Sequence, residues 1–589
     1  MFKLFKKLTI KDVIAIFASI GLIVLQVWLD LRLPKYMKEI TAIMASDSPS
    51  VSAIWSQGLE MLVCVLASAI SAVIVGFLLS RMASRFSMKV RKDIFSKVES
   101  FSLEEIKKFS TASLITRTTN DVSQVQMLLT MGMQILIKAP IMAIWAICEM
   151  QTASWQYSVA IGLAVAVMIT TIAVCVSVCL PRFKKMQTLT DNINRITREN
   201  LEGVRVVRAY NAENFESKKF EKANEEQTKT GLFTSRVMGI LSPTMQLVMS
   251  TITLVMYWIG AIIITRSSGA VMKIQALAEI NSFSVYAMQV ISAFMMISLI
   301  FVLYPRANVS AKRINEVLDT PLSISDGTFT EETETKGKVE FKNVCFKYPD
   351  ADEYVLEDVS FVANKGETVA FIGSTGSGKS TLINLVPRFY DATSGEILVD
   401  DISIKNYKLS SLRDKMGYIS QKAVMFSGTV KENVLFGQTQ TQTSEDQNVE
   451  TSLQTACGLD FVQNMPEGIN SNINQGGTNI SGGQKQRLSI ARALAKNPEI
   501  LVFDDSFSAL DYQTDKKLRQ NLEKDLSGVT KLIVAQRIGT IKEADKILVL
   551  SDGKVVDQGK HKELLQRCEV YKEIALSQLS EEEINNELK

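Results

Sequence analysis

Residues 373–381 read Gly-Ser-Thr-Gly-Ser-Gly-Lys-Ser-Thr, a glycine-rich run closed by a lysine and two hydroxyl residues. Entered from an apolar strand over Thr368–Ile372 and left through a helix, such a run turns successive backbone N–H groups toward one point, where phosphate oxygens fit. Gly373, Ser374, Thr375, Gly376, Ser377, Gly378 and Thr381 would line the cradle, Lys379 would neutralise charge, and the Ser380 hydroxyl would face Mg²⁺. The expected ligand is a nucleotide. Its cleavage must rest on something other than histidine, because the single histidine, His561, stands in Gly-Lys-His-Lys-Glu-Leu-Leu. There, just past a hairpin expected to turn at Asp552-Gly553, it reads as a solvated residue at a helix start.

Further candidates follow the chain. Tyr348, ahead of the loop, is an aromatic that could stack on an adenine ring or simply fill a strand. Gln421, in Tyr-Ile-Ser-Gln after a strand, can reach Mg²⁺ or an attacking water. Ser481, Gly482, Gly483 and Gln484 open a helix expected over Lys485–Leu494, so the serine and the amides form an anion site at a helix N-terminus. Ile500–Phe503 reads as a buried strand ending in Asp504, the carboxylate placed to hold Mg²⁺. Asp505 comes next, and Asp511 closes Ser-Ala-Leu-Asp. Gln536 follows another buried strand, Leu532–Ala535.

These residues occupy the second half of a chain of 589, and the first half is of another kind. Six apolar stretches, about 13–33, 58–80, 128–150, 154–180, 241–265 and 280–303, approach the roughly 20 residues that span a bilayer. A soluble protein with buried helices would need six of them in a row with almost no internal charge. A cleaved leader would need a small-residue cleavage site after Met-Phe-Lys-Leu-Phe-Lys-Lys, and none follows. Lys3, Lys6, Lys7 and Lys11 precede the first stretch, the loops 81–127 and 181–240 are rich in Lys and Arg, and the connection Gln151–Ala153 has neither. By the positive-inside rule the N- and C-termini are cytoplasmic and the chain is a multi-pass protein of the cell membrane. The net charge of +3 fits that bias and gives no footprint for nucleic acid.

Met186, Leu189, Ile193 and Ile196, then Val204 and Val207, recur at helical spacing, so the membrane helices should run on as cytosolic arms. Their turns, near Phe109–Ser113 and Arg208–Asn214, would meet a cytosolic domain. The seven cysteines have no metal-type spacing and read as free thiols. The expected fold is an all-α six-helix transmembrane domain with long cytoplasmic extensions, followed by an α/β phosphate-loop nucleotide-binding domain. Boundaries fall at 1–322, a polar linker 323–338, the nucleotide domain 339–580 and a tail 581–589.

With the phosphate loop, the downstream Ser481-Gly482-Gly483-Gln484 and the six spans all present, the chain resembles the ATP-binding cassette family. More narrowly it resembles exporters that fuse six spans to one nucleotide domain. Leu114–Asp121 and Glu199–Tyr210 look like that family's first and second inner loops. The resemblance implies ATP and Mg²⁺ as cofactors, with Ser380, Gln421 and Asp504 on the metal. It also implies that Ser481–Gln484 serve the ATP of a second domain, with Asp511 in the adjoining D-loop. Two positions depart from the pattern: Asp505 stands where the family has its hydrolytic glutamate, and Gln536 where it has its switch histidine. Both touch the catalytic step, so the chain looks like the degenerate-site subunit of a bacterial heterodimeric multidrug exporter. The expected partner is a second, non-identical half-transporter. A homodimer using Asp505 as its base, a peptide or lipid exporter, and an ATP sensor that transports nothing are the alternatives.

The sequence is less informative about cargo. Met131, Met133, Met142, Met245, Met249, Met256, Met288, Met295 and Met296, with Phe283, Tyr286 and Phe294, would either line an adaptable pocket for hydrophobic small molecules or fill the bundle. Lys138, beside Pro140 in the third span, must face water, snorkel or contact a substrate, and Asp30 and Glu149 are expected near the outer interface.

Overall fold

The computed structural model describes residues 1–44, 50–150, 155–266, 269–437, 445–580 and 582–584. The connection Gln151–Ala153, Ser154 at the head of the expected fourth span, and residues 581 and 585–589 of the expected tail lie outside the described residues. The chain divides into two compact units, Met1–Glu99 with Ser110–Thr320, and Ser100–Phe109 with Pro321–Lys589.

The first unit is helical. Among the described residues, six helices are long and apolar enough to cross a membrane: Ile10–Met44, Val51–Glu99, Thr111–Met150, Trp155–Glu202, Glu213–Arg266 and Met272–Asp319. Val51–Glu99 has 49 residues, roughly 70 Å of helix against a hydrocarbon layer of about 30 Å, so it continues well beyond any bilayer. The arm carrying Leu189 and Ile196 is part of the fourth helix, and both side chains are buried. Val204 and Val207 are not in register with it. Gly203 (φ −93°, ψ 10°) breaks the helix, and they belong to a separate short one, Val204–Ala209.

Met142, Met245, Met256, Phe283 and Tyr286 are buried in the bundle, with Tyr157 stacked on Phe283 at 5.3 Å. Met131, Met288 and Met295 are exposed. One constraint orders the contact between the first and last helices. Pro34 lies inside the first helix and has no N–H, so the Asp30 carbonyl loses its i+4 donor. Gln289 Nε2 donates to that carbonyl at 3.2 Å, and beside it Tyr286 Oη donates to Leu31 O at 3.0 Å and Ser282 Oγ to Pro34 O at 2.9 Å. Lys138 pairs with Asp30 at 3.3 Å, and Lys35 with Glu149 at 2.8 Å. Lys138 is thus held by a carboxylate of the first helix instead of snorkelling alone.

The second unit is α/β. A six-stranded sheet runs in the order Lys554–Gly559, Lys546–Ser551, Thr368–Gly373, Thr530–Val534, Ile500–Asp504, Met416–Ile419. Only the first of these is antiparallel to its neighbour. Burial on both faces explains why the central strands are uninterrupted apolar runs such as Ile-Leu-Val-Phe. Asp552 and Gly553, with φ 46° and 77°, turn the hairpin where the sequence places it. A second, antiparallel sheet joins Leu356–Ala363, Val339–Phe346, Ser394–Val399 and Ile402–Ser403.

The stretch 323–338 is not a loose tether. Gly327, Thr328 and Phe329 donate to the carbonyls of Tyr407 and Asn406, Phe329 packs edge-on against Tyr407, and Thr333 Oγ1 donates to Asp400. Its polar residues are there to bond the domain's backbone and carboxylates, which a composition count cannot separate from solvation. His561 is likewise not solvated. It opens helix His561–Arg567, but its ring is buried and Nδ1 lies 2.7 Å from Tyr571 Oη, because the first turn packs under helix Glu569–Leu576.

If Gln289 answers a carbonyl orphaned by Pro34, Gln289→Leu should lower the unfolding free energy of the purified protein by about 1 kcal/mol. Pro34→Ala in that background restores an N–H donor and should recover part of the loss; additive damage in the double variant would contradict the assignment.

Candidate nucleotide site

Four neighbouring parallel strands end at one edge, and each ends in a residue able to do chemistry. Thr368–Gly373 feeds the glycine-rich loop, Thr530–Val534 leads to Gln536, Ile500–Asp504 ends in Asp504 and Asp505, and Met416–Ile419 leads to Gln421. The register sets Val534 opposite both Phe371 and Asp504, and Ile419 opposite Phe503. Ligands of such sheets bind outside the carboxyl ends of the strands for this reason.

The loop itself needs glycine at two left-handed positions, Gly376 and Gly378, with φ 90° and 91°. At Gly378 a Cβ would also press on Val355 O at 2.9 Å and Leu356 Cδ2 at 2.8 Å. Helix Lys379–Leu385 then begins. Lys379 is 9% exposed, and its Nζ donates to Gly373 O (2.9 Å), Ser374 O (2.6 Å) and Ser377 Oγ (3.2 Å). Burial pushes its ammonium below the usual lysine range, with Asp505 opposing. A cation that is short of water and held by neutral carbonyls gains most from an arriving anion.

Ser380 Oγ donates to Asp504 Oδ1 at 2.7 Å, and Tyr418 Oη reaches Oδ2 of the same carboxylate at 3.4 Å. Burial raises the Asp504 pKa, and the two hydroxyls pull it back. Asp505 stands beside it with φ 46°, a left-handed conformation that a short polar side chain tolerates. Its Oδ2 accepts from two amides, Gln536 Nε2 at 2.8 Å and Gln421 Nε2 at 3.2 Å. Burial raises its pKa too, against the Gln421 amide.

Ser481 caps helix Gly482–Ala495 in a reciprocal box: its Oγ accepts from Gln484 N at 3.3 Å, and Gln484 Oε1 accepts from Ser481 N at 2.8 Å. Ser481 and Gly482 remain exposed, with Gly483 and Gln484 half-buried. The helix is anchored by Arg492. Its guanidinium donates to Asn433 O (2.7 Å), Val424 O (2.9 Å) and Asn433 Oδ1 (2.9 Å), and burial pushes its pKa down to about 10. Asp511 caps the next helix, Tyr512–Asp525, by accepting from Thr514 N at 3.0 Å.

Two family models match the chain in turn, an ABC transporter transmembrane region over residues 16–294 and an ABC transporter model over residues 356–508. An uncharacterized ABC transporter ATP-binding protein of Mycobacterium tuberculosis is 37% identical over 520 residues, 87% of this chain and 86% of that one. The chain belongs to the ABC transporter family. The uncharacterized transporter YfiB of Bacillus subtilis is 34% identical over 90% of both chains, and an ATP-dependent lipid A-core flippase of Pseudomonas fluorescens is 30% identical over 87% of this chain and 84% of its own. A solved bacterial Atm1-family ABC exporter with ATP bound shares the fold, with a TM-score of 0.79 over 96% of this chain and 99% of its own at 24% identity.

Family membership implies an ATP-binding domain, and the transporter's residues suit Mg·ATP. A hydroxyl and a carboxylate 2.7 Å apart, Ser380 and Asp504, are the hard oxygen donors that Mg²⁺ takes. The amide nitrogen of Gln421, the residue expected on the metal or the water, donates to Asp505 Oδ2 at 3.2 Å. Tyr348 is more than a strand aromatic, since its Oη lies 3.0 Å from Thr381 Oγ1 and so ties the expected adenine platform to the loop. Tyr418 went unread, although it stands three residues before Gln421. So did Lys107, whose Nζ lies 4.8 Å over the Tyr348 ring and 5.6 Å over Tyr390. No sequence signal links it to Tyr348.

Arg492→Met should strip donors from buried Asn433 and from the Val424 carbonyl and destabilise the transporter by about 2–4 kcal/mol. Arg492→Lys, which keeps the charge but not the fork, should rescue little of this in a thermal melt; full rescue would show that charge alone anchors the helix.

Proposed function

We propose that this chain is one half of a heterodimeric ATP-driven exporter of amphipathic small molecules at the cell membrane, with both termini cytoplasmic, and that its own phosphate loop forms the slow ATP site. Its phosphate-loop residues bind ATP, with Tyr348 beneath the adenine and Mg²⁺ held by Ser380 and Asp504. Ser481–Gln484 and Asp511 complete the ATP site of the other half.

One observation carries the slow-site reading: Asp505 Oδ2 is taken by both Gln421 and Gln536. A hydrolytic base must present a free lone pair to water, within about 1 Å of its proper place, or the rate falls on the order of 10²-fold. Aspartate is one methylene short of glutamate, and one of its two carboxylate oxygens, Oδ2, already accepts two hydrogen bonds. Burial makes this carboxylate more basic, so access limits it, not basicity. Gln536 adds a neutral donor where a cation would stabilise the γ-phosphate better. The exposed, self-capped signature at Ser481 stays available to a partner.

A lipid-like cargo is the second reading, favoured by relatives named as lipid A-core flippases at 29–30% identity.

The test is ATPase activity of the chain purified with its partner half. Gly482→Asp should reduce turnover at least about 100-fold, because it places charge where the partner's γ-phosphate would sit, while Asp505→Asn should change it less than about threefold. Equal loss from both substitutions would replace the heterodimer with a homodimer that uses Asp505 as its base.

A further inference from the structure

Gln26 and Asp30 lie one turn apart on the first membrane helix, hence on one face. Three other helices bring polar groups to Asp30. Ser68 Oγ donates to Oδ1 at 2.5 Å, Lys138 Nζ reaches Oδ2 at 3.3 Å, and Gln289 Nε2 bonds the main-chain carbonyl at 3.2 Å. Ionisable groups inside membrane helices are costly, and where they persist they tend to mark pathways.

This cluster is short of donors. Oε1 of Gln289 and Oε1 of Gln26 are buried with no hydrogen-bond partner, and Gln26 as a residue is only 7% exposed. Asp30 keeps a quarter of its side chain accessible (24%), more than Lys138 (15%). Of the five residues, Lys138 alone is positive, and its 3.3 Å approach is longer than the roughly 2.7–2.9 Å of a good charge-assisted bond. Unpaired acceptors, an accessible carboxylate and a loosely held lysine are complementary to a group bearing positive charge and several N–H bonds.

We propose that Gln26, Asp30 and Gln289 form the headgroup site for an amphiphile carrying a primary ammonium group, with Lys138 as its resident stand-in. The ligand's ammonium takes the Asp30 carboxylate and donates to the two amide oxygens. Lys138, on a flexible stem, withdraws toward water, so two cations do not share one carboxylate. An anionic headgroup would meet Lys138 but also Asp30 and two carbonyl oxygens, and is disfavoured. This rests on the exporter reading and names its cargo class.

The experiment uses the full chain in phosphatidylcholine nanodiscs and three fluorescent alkyl probes that differ only in the headgroup: primary amine, hydroxyl and carboxylate. The amine should bind at least about tenfold more tightly than either analogue. Asp30→Asn should erase that preference, and Lys138→Met, which removes the competitor, should tighten amine binding about tenfold. Should a single variant fail to fold, the uncharged pair Asp30→Asn with Lys138→Met keeps the test alive, since it should bind all three probes alike. A preference that survives Asp30→Asn or the double change, weaker amine binding in Lys138→Met, or tighter binding of the carboxylate overturns the proposal. Equal stimulation of ATPase activity by all three probes would overturn it while leaving the exporter reading intact; no binding and no stimulation by any probe would count against both.

Discussion

The carboxylate of Asp505 accepts hydrogen bonds from amides that arrive on two other strand ends, and the rest of the nucleotide domain is arranged so that this happens. Strand Ile500–Asp504 lies between Met416–Ile419 and Thr530–Val534, so whatever follows each neighbour flanks the residue after Asp504. Gln421 and Gln536 are those followers. The parallel register therefore fixes an amide–carboxylate–amide bridge beside the loop that holds Lys379, and it keeps Ser380 and Asp504 as a separate pair. On our reading, this division leaves binding groups intact and removes the free base, which is what a site that binds ATP and cleaves it slowly requires.

In the membrane unit a comparable role falls to Pro34. By deleting one N–H it exposes the Asp30 carbonyl, and the last helix answers with Gln289, Tyr286 and Ser282 on the carbonyls of Asp30, Leu31 and Pro34. The same place gathers Ser68 and Lys138 on the Asp30 carboxylate. Polar groups inside an apolar bundle thus converge on one point of the first helix. A point where helices are joined by exchangeable polar contacts, and not only by close packing, is also a point where a polar ligand can compete.

Features carried by a few adjacent residues were legible in the sequence. The left-handed glycines of the phosphate loop, the Ser481 cap, the strand before Asp504 and the Asp552-Gly553 turn depend on local conformation, and the six apolar stretches on length alone. Features that depend on register between distant segments were not. Nothing in Tyr-Ile-Ser-Gln says that Gln421 bonds a residue 84 positions away, nor that Tyr418 reaches Asp504. Lys107 comes to Tyr348 from a segment between two membrane helices. His561 was misread because the charged Lys560 and Lys562 flank it, while its burial comes from Tyr571, ten residues on. The break at Gly203 leaves no mark because apolar spacing on both of its sides stays helical, and the hydrogen bonds of the linker leave none because composition records polarity and not what a polar group bonds.

The central claim is that the Asp505 bridge, and not a failure to bind ATP, makes this site slow. Phosphate release by the chain paired with its partner half, the partner's own phosphate loop disabled, tests it most directly under saturating Mg·ATP when the parent is compared with Asp505→Glu combined with Gln536→His. ATP affinity should be the same in both, the parent should stay near background, and the double variant should gain at least about tenfold by restoring a reachable base and a chargeable γ-phosphate donor. A parent that turns over as fast as the double variant would contradict the account.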